Sequence, residues 1–334
     1  MKISRSSWHR GAALLSAMLT VALVATLAAA ALWQQWRDVE VEAAERARAQ
    51  SSWLLTGALD WGRLVLTGDL VEDERASRLG QPAADHLGEP WAVPLAEARL
   101  SAFLAAGGAA EDSFAHNAFL SGQVQDLQAR MNVMNLLASG EEARAGARLR
   151  FARLFELLQL PASELAHLAQ QLERAAAAHQ DGAEGNAPLM PSRFEHLAWL
   201  GVSEATLSRL RDYATLLPLA RGAATRVNLN TASAQVLYAS IPGLDAAGAQ
   251  RIASQRAAGT YRSVTDARAA AQAGSTLDMS WTGVTSDFFE ISGRLRLDDI
   301  ALQEAATVQR SRSPRRVSTL WRQRTAITLH DGEV

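Results

Sequence analysis

Polar and apolar positions sort the chain into stretches of distinct character. Between Ala12 and Trp33 there is no charge, and only Ser16, Thr20 and Thr26 interrupt the apolar run. About 20 such residues are what a helix needs to cross a bilayer, so residues 12–33 predict one membrane-inserting segment. Lys2, Arg5 and Arg10 precede it, which favours the cytoplasmic side for the start of the chain and places the remainder outside. Trp33 and Trp36 follow at the expected headgroup boundary. From Arg37 to about Leu66 helix-forming residues dominate, and Val39, Ala43, Ala47, Leu54 and Ala58 continue one stripe at spacings of three, four or seven. The prediction is a single helix of roughly 50 residues, about 75 Å long, half in lipid and half in water.

Past that helix the pattern breaks. Residues 67–94 carry Gly68, Gly80, Pro82, Gly88, Pro90 and Pro94, which predicts a loop. The acidic group Asp69, Glu72, Asp73 and Glu74 is interleaved with Arg75 and Arg78 and reads as a solvated face, not a calcium loop. Leu95–Leu104 and Ala118–Leu127 are short apolar stretches without clean alternation, separated by a hairpin-like loop around Gly107-Gly108 and Glu111–Asn117. From about Asn135 to Leu217 apolar residues recur at helical spacing, with Pro161-Ala162-Ser163 and Ser203 as helix starts, so this section is expected to be all-helical. In the last section Phe289, Ile291, Leu295 and Leu297 alternate with polar Glu290, Ser292, Arg294 and Arg296, the period of a half-buried strand. Asp298-Asp299 turns the chain, and Val308–Arg310 and Val317–Trp321 supply further strands. Arg310, Arg312, Arg315, Arg316, Arg322 and Arg324 are expected on a solvated sheet edge.

Composition narrows the class. The 334 residues are 48% hydrophobic, which suffices for a core, and the formal net charge of -2 gives no general attraction for nucleic acid. There is no cysteine, so an exported domain of this chain relies on packing alone and has neither a thiolate metal site nor a thiol nucleophile. The seven histidines lack metal-ligand spacing, and His116 near Glu111 and Asp112 reads as a surface residue. No Gly-x-Ser-x-Gly or phosphate-cradling loop is present, so no enzyme is expected.

Two segments carry more specific information. Arg10-Gly11 ahead of Ala12-Ala13-Leu14-Leu15 admits three outcomes: cleavage by signal peptidase near Ala28–Ala31, an uncleaved anchor, or a short leader cut after Gly11. The last of these resembles the leader of type IV prepilins and pseudopilins. The second segment is Val227-Asn228-Leu229-Asn230-Thr231-Ala232-Ser233, followed by Leu237–Asp245 and by Ala249, Ile252, Arg256, Gly259, Tyr261, Ser263 and Asp266. It resembles a helix-hairpin-helix unit with its turn at Ile241-Pro242-Gly243. In DNA-binding members a second glycine exposes backbone N–H groups to phosphate; here Asp245 takes that place, repels phosphate and suits the cap of the next helix, which favours a structural role.

Taken in order, the leader, the retained apolar helix, the helical insertion, the Val-Asn-Leu-Asn-Thr-Ala segment and the final strands resemble the minor pseudopilin K family of type II secretion systems. Asp85–Pro94, Gly122–Asn132 and Ser286–Phe289 add to the likeness. It implies an α+β pilin-like fold: a leader (1–11), a transmembrane part of helix 1 (12–33) and its periplasmic part (34–66), a first part of an α/β domain (67–134), an inserted α-helical domain (135–275) holding the helix-hairpin-helix-like segment (228–270), and C-terminal β-strands (276–334). It further implies cleavage between Gly11 and Ala12 by a prepilin peptidase, N-methylation, a single-pass inner-membrane anchor with a periplasmic domain, and partners among the other minor pseudopilins and the major pseudopilin. Pilin-like subunits mostly carry a glutamate at the fifth mature position; here it is Ser16, which suits a tip subunit that docks on none above it. The family's calcium loop corresponds to Asp181–Asn186, whose two carboxylates are too few for calcium, so no cofactor is expected. The alternative function is a membrane-tethered helix-hairpin-helix DNA-binding protein of a DNA-uptake system.

Overall fold

The computed structural model describes residues 8–101, 118–181, 188–271, 277–297 and 300–328. Gly107–Asn117, His116, Glu184, Asn186 and the Asp298-Asp299 turn lie outside them. The chain divides into two units, residues 1–54 and 55–334. Helix α1 is assigned over Trp8–Arg78, 71 residues. Its first part is apolar enough to cross a membrane, and the side chains from Leu14 to Trp36 are exposed. Within it, Ser16, Thr20 and Thr26 donate to the carbonyls of Ala13, Ala17 and Leu23 at 2.8–2.9 Å. Each hydroxyl is thereby satisfied inside the helix, as a lipid environment demands.

In the second unit, α1 continues beyond the predicted end at Leu66 to Arg78. Gly68 does not break it, because burial of Leu66 and Leu70 in the apolar stripe outweighs the roughly 1 kcal/mol cost of a helical glycine. That stripe, with Leu55 and Leu59, lies on a five-stranded antiparallel sheet of order β1-β2-β7-β8-β9. The strands are β1 (Leu95–Arg99), β2 (Ala118–Asp126), β7 (Phe288–Leu297), β8 (Ile300–Arg312) and β9 (Arg315–Thr328). The predicted alternation holds in β7, where Phe289, Ile291 and Leu295 are buried and Glu290, Ser292, Arg294 and Arg296 are half-buried. Phe289 and Ile291 join Leu59, Leu66, Leu70, Trp91, Ala306, Val308 and Val317 in one core.

The insertion between β2 and β7 has its own core. Helices α2 (Glu141–Leu157) and α3 (Ala162–Asp181) bury Phe151, Leu154, Phe155, Leu168 and Leu172. Helix α4 (Glu204–Leu210) starts at Ser203, whose hydroxyl accepts from Thr206 N at 3.2 Å. Helices α5 (Ala234–Ser240), α6 (Ala246–Gln255) and α7 (Val264–Ala270) complete the helical set. The insertion is not entirely helical: β3 (Met131–Asn132) pairs in parallel with β4 (Ala214–Thr215), and β5 (Val227–Asn228) with β6 (Thr282–Gly283). Two-residue pairings leave no periodicity to read in a sequence.

Close packing between α1 and the sheet sets an opposite requirement at two glycines. A Cβ at Gly62 would lie 2.5 Å from Ile291 Cγ2, whereas one at Gly57 meets nothing within 4 Å. Gly62→Val is expected to lower stability by about 1–3 kcal/mol through overpacking, and Gly57→Ala to raise it by about 0.5–1 kcal/mol. Urea unfolding of the full-length protein in detergent checks both; a stabilising Gly62→Val would refute the packing.

Candidate functional site

In the helix-hairpin-helix-like segment the polar side chains cap helix ends and bond backbone groups of the fold. Ser233 caps α5 by accepting from Val236 N at 3.3 Å, and α5 ends at the Ile241-Pro242-Gly243 turn. Gly243 has φ +85°, a left-handed conformation open to glycine at no steric cost. Asp245 caps α6, its Oδ1 accepting from Gly248 N at 2.6 Å, so the carboxylate occupies the N–H that a DNA phosphate would seek. Pro242 O accepts from Asp278 N at 3.3 Å. Ser263 and Asp266 form a capping box at α7.

The surrounding arginines serve the fold's own carbonyls. Arg153 donates to Tyr238 O at 2.8 Å and to Leu244 O at 2.9 Å. Arg251 donates to Ala271 O at 2.7 Å, Arg256 to Leu229 O and Ala232 O, and Arg262 to Pro82 O at 3.3 Å. Burial lowers the pKa of Arg256, a cost its carbonyl partners offset. Guanidiniums held in this way tie the helices of this segment to neighbouring backbone.

The Val-Asn-Leu-Asn-Thr-Ala segment leads to the most heavily buried polar site. Asn228 Nδ2 donates to Asp85 O at 3.1 Å, to Asp126 Oδ2 at 3.0 Å and to Ser286 Oγ at 2.9 Å. Asp126 Oδ2 also accepts from Thr231 Oγ1 at 2.6 Å and from Ser286 Oγ at 2.7 Å. Asn230 exchanges hydrogen bonds of 3.0 Å with the backbone of Tyr261. Next to this group, Ser286 N donates to Asp85 Oδ2 at 2.6 Å, and Arg310 contacts both Asp85 and Asp69 and donates to Ser286 O at 2.7 Å. The side chains of Arg310 and Asp85 are each 0% exposed. Helix α1, the 85–93 segment, β2, the insertion and β8 all contribute to this junction.

Burial pushes the Asp126 carboxyl up to about 6, against the hydroxyls of Ser286 and Thr231, which hold it down. Burial likewise lifts Asp69 to about 6 in spite of Arg310. Two members of this cluster differ from the sequence expectation. Asp69 was expected on a solvated face and Arg310 on a solvated sheet edge. Instead α1 continues far enough to aim Asp69 and Asp73 inward, while Glu72 stays exposed beside Arg75. The oxygens of Asp69, Asp85 and Glu89 approach one another closely enough for a metal, but Arg310 already contacts two of these groups. Its charge supplies what a cation would bring.

Gly11, Ala12 and Ser16 lie in the first part of α1, and Ser16 is exposed.

A long helix that begins apolar, packs in its later part on an antiparallel sheet, and leads to a helical domain inserted between two strands of that sheet is a pilin-like fold. The matches are specific. Family models for "Type II secretion system (T2SS), protein K" fit residues 129–219 and 227–287. These two stretches of the chain match the protein K family of type II secretion systems. Its fold is similar to a chain in the crystal structure of the GspK-GspI-GspJ complex from the enterotoxigenic Escherichia coli type 2 secretion system. The identity is 17%, the coverage 84% of this chain and 98% of that one, and the TM-score 0.59. No match was found among curated proteins.

Arg310→Met is expected to cost about 3–5 kcal/mol, because it leaves Asp69 and Asp85 buried without their cation. Arg316→Ala, at an exposed position on the same hairpin, is expected to change stability by less than about 0.5 kcal/mol. Chemical denaturation of both variants decides the point; equal effects would return Arg310 to a surface role.

Proposed function

We propose that this protein is a minor pseudopilin that stands at the tip of a type II secretion pseudopilus, starts its assembly with other minor pseudopilins, and aids export of folded proteins across the outer membrane. It is anchored in the inner membrane by residues 12–33, with the residues that follow in the periplasm. Its role is assembly, not catalysis.

The observation that carries the reading is the two-sided character of α1 in the second unit. Leu55, Leu59, Gly62, Leu66 and Leu70 face the sheet and are buried. On the other side Gly57, Trp61, Leu64 and Gly68 are exposed, with Trp61 64% and Leu64 61% accessible. Steps of four, three and four residues are the spacing of a helix–helix seam. Gly57 and Gly68 lower the surface at both ends of that seam, since a side chain added at either meets no atom within 4 Å. An exposed indole and leucine in one helical row mark an interaction surface better than scattered apolar residues do. A helix of another membrane-anchored subunit fits it.

Two further features support the proposal. The solved complex to which the fold is similar contains GspK together with GspI and GspJ, and we take corresponding minor pseudopilins as the partners here. The major pseudopilin joins below them. At the fifth position after Gly11, Ser16 donates to Ala13 O of its own helix at 2.9 Å and brings no carboxylate to a neighbour's amino terminus. Such a subunit is suited to the outermost place, with cleavage between Gly11 and Ala12 and methylation of the new terminus by the prepilin peptidase.

Trp61→Glu is expected to reduce co-purification with minor pseudopilins from detergent-solubilised membranes at least about tenfold, a loss of roughly 1.4 kcal/mol, and to reduce secretion. Its melting is expected to be unchanged, because the side chain is solvent-facing. Undiminished co-purification would count against this face. Gly11→Ala is expected to leave the leader attached, which intact-mass analysis of the membrane-extracted protein reads directly; normal processing of the variant would sink the prepilin assignment.

A further inference from the structure

The charges at the buried junction do not balance. Asp69, Asp85 and Glu89 bring oxygens within 4.8 Å of one another, and Asp73 joins them one turn along α1. Two guanidiniums face these four carboxyl groups. Arg310 of β8 contacts Asp69 and Asp85, and Arg312 lies 3.6 Å from Asp73 and 3.7 Å from Asp85. Arg312 is also shared with Asp287 at 2.8 Å. Arg315 of β9 is taken by Glu74 at 3.2 Å. His86 turns an acceptor, not a charge, toward its neighbour: its Nδ1 accepts from Gly88 N at 3.1 Å, and burial, with the nearby Arg262, lowers its pKa. Among the described residues, Glu89 has no arginine or histidine within ion-pair distance. Its Oε2 accepts from His86 N at 2.9 Å and from Trp91 Nε1 at 2.7 Å.

Glu89 is therefore the group on which a proton relieves most repulsion at least loss. It also sits where a change of charge has mechanical consequences. Trp91, held by the Glu89 carboxyl, packs edge-on against Phe289 at 5.1 Å in the core between α1 and the sheet. We propose that Glu89 is a proton-operated latch: protonated, it lets residues 86–92 close over Asp69 and Asp85 and seat Trp91 in the core; ionised, it adds a further negative charge to that cluster and loosens the segment.

The direction of the pH response follows from linkage. Burial, first among its causes, raises Glu89 to about 7 from an ordinary 4.5, with Asp69 and Asp85 adding to the effect. A carboxyl raised in the folded state binds its proton more readily there than in the opened state, so the closed form is favoured below the opened-state value. That advantage is lost as pH rises through about 7 and is constant above it.

Hydrogen exchange of the full chain in detergent micelles, corrected for intrinsic rates, tests the latch. Opening of residues 86–92 is expected to increase roughly 30-fold between pH 5 and 7 and then level off, while β7 stays unchanged. Glu89→Gln, which keeps both acceptor bonds without the charge, is expected to hold the acid-form protection across the range. A wild-type profile flat in this segment overturns the proposal even if the variant fails to fold. Retention of the full pH response by Glu89→Gln overturns it as well, and would transfer the titration to Asp69 or Asp126.

Discussion

The buried pair of Arg310 and Asp85 is the constraint around which the second unit is arranged. Two ionised groups removed from water cost several kcal/mol each unless their geometry is closed by further hydrogen bonds. Here the closure is extensive: Asp69 shares the guanidinium, Ser286 gives it a carbonyl, and the Ser286 N–H returns to Asp85. Satisfying all of these partners at once fixes where the end of α1, the 85–93 segment and the β7–β8 hairpin meet. An apolar cluster of the same volume could be as stable, but it would tolerate sliding of the helix along the sheet. The ion pair tolerates little, because a shift of one turn would strand Asp69.

The same junction explains how a helical domain can be inserted between two strands without becoming a loose appendage. Its entry and exit pass Asp126 at the end of β2 and Ser286 just before β7, and Asn228 of the insertion bonds to both. Gln128 extends the tie, donating to Arg226 O at 2.8 Å and accepting from Asp287 N at 2.6 Å. The Asn-x-Asn-Thr-Ala segment is a clamp between insertion and sheet. Its amide and hydroxyl groups satisfy a buried carboxylate and buried backbone groups of the fold itself.

How much of this was legible beforehand depends on whether the informative contact is local. The long apolar helix was, because hydrophobicity over twenty residues needs no partner to be recognised. So was β7, whose alternation reports burial on one side. Asp245 could be assigned as a cap because the N–H groups it accepts from lie within the next turn. Asp69 and Arg310 could not: they are separated by 241 positions, and each taken alone resembles the exposed acids and arginines around it. The true end of α1 was hidden for a related reason. Gly68 and the acidic group suggested a break, and only the sheet opposite Leu66 and Leu70 makes continuation favourable.

These points bear on why α1 carries apolar residues on two sides. A helix that had only to hold the sheet would place polar residues opposite the Leu55–Leu70 row, and Asp60 shows that they are tolerated there. Trp61 and Leu64 are instead kept in water, at a solubility cost that no contact within the described residues offsets. Gly57 and Gly68 add a loss of helix propensity without the packing reason that Gly62 has against Ile291. Costs of this kind, concentrated on one face of a helix whose other face is already committed, are what a fold accepts for a partner. The rigid junction at Arg310 then has a second consequence: it fixes the sheet and the insertion relative to that face, so a subunit docking on α1 would meet both in a defined orientation.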